Sequence, residues 1–112
     1  MLRRSYTATL ARGERWTGSV QTEPYECAWA SEAIFFVRAL EAKGMLTKGA
    51  ARIQISPDGI HWTDEGTRMK LPGAKGEVTF ARVREFGGYL RHAAELPRGT
   101  SLTVVVALAL KE

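Results

Sequence analysis

The sequence predicts an all-β domain, a single antiparallel β-sandwich or jelly roll of about eight strands, spanning residues 1–112. Three observations lead there. Turn-forming clusters recur at short intervals, at Pro57-Asp58-Gly59, Asp64-Glu65-Gly66, Leu71 to Gly76, Gly87-Gly88 and Leu96 to Gly99. The segments between them alternate apolar and polar residues or are rich in β-branched and aromatic ones. No stretch sustains the apolar repeat of a long helix, and no linker, internal repeat or low-complexity tract divides the chain.

Taken in order, Met1 to Leu10 alternates and reads as a first strand. Arg12-Gly13-Glu14 reads as a connection, and Arg15 to Val20 as a short strand containing Trp16. Pro24 lacks a donor and restricts Glu23, so regular structure breaks over Gln21 to Pro24. Tyr25, Cys27 and Trp29 then alternate with smaller or charged residues, as in a strand with one buried face.

Ser31 to Ala42 supports two readings. Ser31 could cap a helix rich in Glu and Ala, whereas Ile34-Phe35-Phe36-Val37 favours a strand. We prefer the strand. It sets Ile34, Phe36, Arg38 and Leu40 on one face and Phe35, Val37 and Ala39 on the other, a pattern expected of a central strand covered on both sides.

Gly44 and Gly49 bracket a loop, and Ala50 to Ser56 leads into a hairpin. Val78, Phe80 and Val83 suggest a strand with a bulge, and Gly87-Gly88 a bulge or corner before the strand Tyr89 to Ala93. The last strand, Ser101 to Lys111, carries Leu102, Val104, Val106, Leu108 and Leu110 on one face and Val105, Ala107 and Ala109 on the other. A strand so apolar must be central, covered or paired with another chain, because an exposed edge of that composition aggregates.

Composition narrows the function. At 112 residues, 45% hydrophobic and 25% charged, the chain can bury a core without disulfides or metals. Cys27 is the only cysteine, which excludes an intrachain disulfide and a cysteine-based zinc site. The N-terminus lacks the continuous apolar run of a signal peptide, and the apolar stretch from Val104 to Leu110 is far short of a membrane-spanning helix. The expected location is therefore the cytoplasm or a particle assembled inside the cell, with no membrane partner. The net charge of +4 is spread along the chain and interrupted by Glu14, Glu85 and Glu95. With no recognisable nucleic-acid-binding motif, solvated strand faces are the favoured reading over a nucleic-acid site.

The run Ile53-Gln54-Ile55-Ser56-Pro57-Asp58-Gly59-Ile60-His61-Trp62 has a structural reason at each position. Pro57 presets φ, Asp58 bonds nearby N–H groups, and Gly59 takes the positive φ that closes a hairpin loop of about three to five residues. Ile53 and Ile55 alternate with Arg52, Gln54 and Ser56, and Trp62 is expected to fold back over the apolar face. Together with Tyr89-Leu90-Arg91, the segment Ile55 to Gly59 followed by Trp62 resembles signatures of discoidin-like, galactose-binding-type β-sandwich modules. The resemblance implies that these residues are mostly scaffold: the turn links two strands, the arginine strand pairs nearby, and ligands are held by variable loops. Small sandwiches of this kind are also similar to components of phage heads and tails.

Residues able to do chemistry are sparse. His61 and His92 are best read as polar strand positions, and Cys27 as a small core residue without a thiolate-lowering neighbour. Asp58, Asp64 and Glu65 lack the spacing of a calcium loop. No nucleophile elbow, phosphate loop or metal motif is present, so neither a cofactor nor a metal is expected. The expected function is a non-enzymatic structural or assembly module, a phage-like particle component of decoration or connector type. It would act through protein-protein contacts, with a protein partner or as a homo-oligomer. The alternative is a carbohydrate-binding module of discoidin-like type using Trp16, Trp29 or Trp62, and a third is an enzyme around His61 or His92. The candidate binding surface is Trp16, Glu23, Tyr25 and Lys75, with binding expected on the sandwich faces and in the irregular segments Gln21 to Tyr25 and Leu71 to Gly76.

Overall fold

Alternation of side chains across strands accounts for most of the architecture. The structure, a computed structural model, describes residues 4–112. Its strands are β1 (Ser5–Trp16), β2 (Ser19–Gln21), β3 (Tyr25–Glu26), β4 (Glu32–Lys43), β5 (Ala50–Ser56), β6 (Thr63–Met69), β7 (Val78–Arg84), β8 (Tyr89–Glu95) and β9 (Ser101–Lys111). A short 3-10 turn at Leu46–Lys48 fills the loop between the glycines that bracket it. The sheets are β1-β9-β4-β7 and β2-β8-β5-β6, with β3 also pairing β8, and every pairing is antiparallel. Apart from the minor β3, this is the strand order of a jelly roll, with the β5–β6 hairpin as the connection that stays within one sheet.

The core lies between the sheets. Phe35, Val37 and Ala39 of β4, Leu102 to Leu110 of β9 in alternation, and Ala81 and Val83 of β7 face Ile53 of β5 and Leu90 and Ala94 of β8. Trp16 closes the end of β1 with no exposed surface, its indole N–H donating to the Glu14 carboxylate at 3.0 Å. The segment read as Ser31 to Ala42 is a strand, β4, with Phe35, Val37 and Ala39 inward and Ile34, Phe36 and Arg38 outward, while Leu40 falls at a register shift against β9. β9 is central within its own sheet, between β1 and β4, so its apolar sequence needs no second chain to pair it.

Several expected elements are corrected. Arg12-Gly13-Glu14 is no connection: β1 runs straight through it as one long strand, and the register with β9 shifts between Thr9 and Ala11 and again between Arg12 and Glu14. Gly13, at φ 70°, takes the left-handed conformation that such a bulge needs. Asp64-Glu65-Gly66 is likewise a bulge inside β6, opposite the register shift between Arg52 and Gln54, rather than a turn. The strand expected over Tyr25 to Ala30 shrinks to β3, because the chain turns at once with the Ala30 N–H bonded to the Cys27 carbonyl. β7, by contrast, has no bulge. Its unbroken pairing with β4 sends Val78 and Phe80 to one side and Ala81 and Val83 to the other.

A further correction bears on function. The pattern of β4 predicts cover on both faces, yet among the described residues no element lies over the outer one. There Phe36 keeps 37% of its surface accessible, and Phe80 and Val78 of β7 keep 50% and 51%.

Candidate protein-docking face

The outer face of the β1-β9-β4-β7 sheet is ordered by strand register. Side chains at paired positions of adjacent antiparallel strands point the same way, so each row crosses the sheet. The central row is Thr9, Ala107, Phe36 and Phe80. On one side lies Thr7, Ala109, Ile34 and Arg82, then Ser5, Lys111, Glu32 and Arg84. On the other lies Arg12, Val105, Arg38 and Val78, then Arg15, Thr103 and Glu41. The middle of the face is thus apolar and its ends are basic.

Phe36 and Phe80 touch with ring centroids 6.3 Å apart and planes at 37°, and the Arg82 guanidinium lies 5.0 Å above the Phe80 ring. Glu32 pairs with Arg84 at 3.1 Å, and Glu41 lies 3.8 Å from Lys75. A shallow hollow of about 210 Å³ opens at the Glu32 end, lined by Ile34, Arg82, Arg84, Ala109 and Lys111 among others. The rows carry no histidine and no cysteine. Contiguous exposed apolar surface of this kind is uncommon on a soluble monomer.

The residues singled out from sequence do not converge on one site. Trp16 is in the core and belongs to no surface, because β1 extends through Gly13 and delivers it to the inner side opposite Leu102. Tyr25 is half-buried on β3 beside Leu90, its hydroxyl pKa raised above the ordinary value first by burial and then by nearby Tyr6. Glu23 is exposed just before it, and Lys75 is exposed in the β6–β7 connection, beside the other sheet.

The Pro57 turn does what its residues imply, with two changes. Asp58 accepts from the backbone N–H groups of Ile60 and His61, both at 2.9 Å, and from the Ser56 hydroxyl; Gly59 sits at φ 79°. Those backbone bonds, with the His61 ring nitrogen at 2.7 Å, hold the Asp58 carboxyl well below the usual carboxylate range. The first change is length, since Thr63 rather than Ile60 opens β6. The second concerns Trp62, which lies not over the apolar face but half-buried on the polar one, with the Arg91 guanidinium 4.3 Å above its ring. Arg91 is held there by donating to Gln54 at 2.7 Å. Trp29 has the same relation to Arg4, at 4.2 Å, and is also half-buried.

His61 and His92 are not two polar strand positions. His61 is exposed in the loop, whereas His92 points inward from β8, stacked on Trp16 with ring centroids 5.5 Å apart and tilted against Phe35 at 6.1 Å. Neither His92 ring nitrogen has a hydrogen-bond partner among the described residues, and burial lowers its pKa from 6.5 to about 4. Cys27 is also buried, its thiol pushed up to about 12 by desolvation first and then by Glu26. Asp58 and Asp64 are committed to different partners, Asp64 to Arg52 at 3.1 Å and Gln54 at 3.0 Å. No group of three or more potential metal ligands occurs among the described residues. No described helix is long and apolar enough to cross a membrane.

Sequence reasoning points to the sandwich faces but misses the residues that stand exposed on one of them: Phe36, Phe80 and Val78, with Arg38 and Arg82. The signal was present in the second apolar set of β4, and it needed the unbroken alternation of β7 to become a surface.

No protein-family model matches the chain, and neither does any curated protein. Among solved structures it is similar to the SPBc2 prophage-derived protein YomS, with a TM-score of 0.59 and 11% identity, covering 100% of this chain and 96% of that one. It is also similar to a chain of the infectious bursal disease virus Gx strain, with a TM-score of 0.53 and 14% identity, covering 97% of this chain and 32% of that one. At such identities the likeness is one of fold: the chain has a β-sandwich fold that also occurs in a prophage protein and in a virus.

Proposed function

We propose that this protein is a non-enzymatic structural module, a phage-like particle component of decoration or connector type, that works through protein-protein contacts made by the outer face of the β1-β9-β4-β7 sheet. One observation carries the reading. Phe36, Phe80 and Val78 stand exposed side by side on a regular sheet face, continuous with Ile34, Val105, Ala107 and Ala109. Contiguous apolar surface rimmed by charge is characteristic of protein contact sites. The shared fold of a prophage-derived protein, matched over nearly the whole of both chains, supports the phage-like setting without specifying a role.

A glycan site of discoidin-like type would be expected to offer an exposed tryptophan beside polar loops. Trp16 is buried, and Trp29 and Trp62 are half-buried beneath arginines, so protein contact is the better supported reading.

Photo-cross-linking tests it. A benzophenone amino acid placed at Phe80, in the cells that naturally make the protein, should capture a polypeptide. The same group at Ile60, equally apolar and 75% exposed but far along the chain in the hairpin loop, should not. Equal capture at both positions, or none at Phe80, would refute the proposal.

A further inference from the structure

The charges around the apolar centre say what kind of polypeptide fits. Arg12, Arg15, Arg38, Arg82, Arg84 and Lys111 lie on the rows of this face, against Glu32 and Glu41. Both carboxylates have basic neighbours, Arg84 and Lys75. The face is therefore cationic as a whole, and a partner that covers its apolar middle must also neutralise its ends, since like charges brought together in an interface oppose binding.

A second copy does not meet that requirement. Packing two such faces together sets arginines against arginines. The outer face of the other sheet is no better: its rows carry Arg52, Arg68 and Arg91 together with Asp64, Glu95 and Glu26, so its charges balance, and Arg52 already engages Asp64 and Glu95, at 3.1 Å and 3.2 Å. Among the described residues, neither outer sheet face supplies an acidic rim. A nucleic acid would meet the charge but not the shape. Base stacking needs open ring faces; here the two phenylalanines are tilted against each other, Arg82 covers Phe80, and the remaining apolar residues are aliphatic.

We infer that this face docks a different polypeptide, whose contact segment is apolar in the middle and flanked by Asp and Glu. The inference rests on the protein-docking reading above and specifies the partner's chemistry.

The test pans the immobilised full-length chain with a random 20-residue peptide library and sequences what is retained. The expected result is enrichment of peptides that combine apolar residues with an excess of Asp and Glu. Their binding should fall by roughly tenfold or more in a Phe36→Ser/Phe80→Ser variant and in an Arg38→Glu/Arg82→Glu variant, and should weaken as salt rises. Circular dichroism checks each variant, and Arg38→Gln/Arg82→Gln replaces the charge reversal if that does not fold. Peptides that need Phe36 and Phe80 but are neutral or basic, or are indifferent to the arginines, would overturn the acidic partner and leave the docking face standing. A dimer seen by light scattering at micromolar concentration and dissolved by Phe36→Ser/Phe80→Ser would overturn it in favour of a second copy. Binding of a twenty-nucleotide oligo-dT that the same variants abolish, or an absence of any peptide dependent on the phenylalanines, would overturn both inferences.

Discussion

His92 should make the protein acid-labile in a specific window. The imidazole is fully buried between Trp16 and Phe35, and neither ring nitrogen has a protein partner among the described residues, so the core admits only its neutral form. Below pH 6.5 the unfolded chain takes up a proton that the folded core refuses until about pH 4. Stability therefore falls as pH drops through that interval and stops falling from this cause beneath it. Separating those two pKa values corresponds to ~3 kcal/mol, a large share of the 5–15 kcal/mol that holds a typical domain folded. Asp58 and Asp64 act elsewhere. Hydrogen bonds, from the His61 backbone and from Gln54 respectively, lower their pKa values below 3.8, so what they contribute is lost only at more acid pH.

The perturbation is His92→Leu, which keeps the site filled and removes the titrating ring. Urea unfolding of both proteins at pH 7.5, 5 and 4 should show the parent losing ~3 kcal/mol more than the variant between the ends of the series, at equal m-values. The difference of slopes is the readout, so it does not matter which protein is more stable at neutral pH. Removing two unpartnered nitrogens favours the variant, and losing the stack on Trp16 favours the parent. Curves that run parallel within ~0.5 kcal/mol would refute the argument, as would a folded-state His92 resonance that titrates near its ordinary pKa.

Adjacent phenylalanines on β4 should behave oppositely: Phe35→Ala should cost about 3–5 kcal/mol by thermal or urea unfolding, and Phe36→Ala under ~1 kcal/mol, since only the first side chain is in the core. Gly59→Ala should destabilise by ~1–2 kcal/mol, because its φ of 79° is left-handed and a methyl there would sit 3.3 Å from the Tyr89 ring. Cys27 should resist alkylation in the folded protein. A thiol pushed from 9.0 to about 12 exposes about a thousandfold less thiolate near neutral pH, so iodoacetamide labelling should report global unfolding, and fast labelling of the native state would contradict the burial.

The parts of the fold visible in the sequence were those set by local chemistry. Pro57, Asp58 and Gly59 define a turn whatever surrounds them, and the alternate set Leu102, Val104, Val106, Leu108 and Leu110 read from the sequence as one face of β9 is the face that is buried. Local signals misled where a glycine stayed inside a strand. Gly13 and Gly66 look like punctuation, yet pairing across to β9 and β5 continues past both, because a sheet can absorb extra residues as a bulge while keeping the hydrophobic register.

The docking face was half legible for a different reason. A strand apolar on both sides says that both sides are covered, and nothing in the strand says by what. Burial behind Phe35 comes from this chain, whereas no described element lies over Phe36. The Val78, Phe80 and Val83 cluster resolves the same way. Read with a bulge, all three belong to one core, whereas regular pairing with β4 puts Phe80 opposite Phe36 and outside it. The residues that pattern analysis assigns to a core and the folded chain leaves in water are the ones on which an interface can be built.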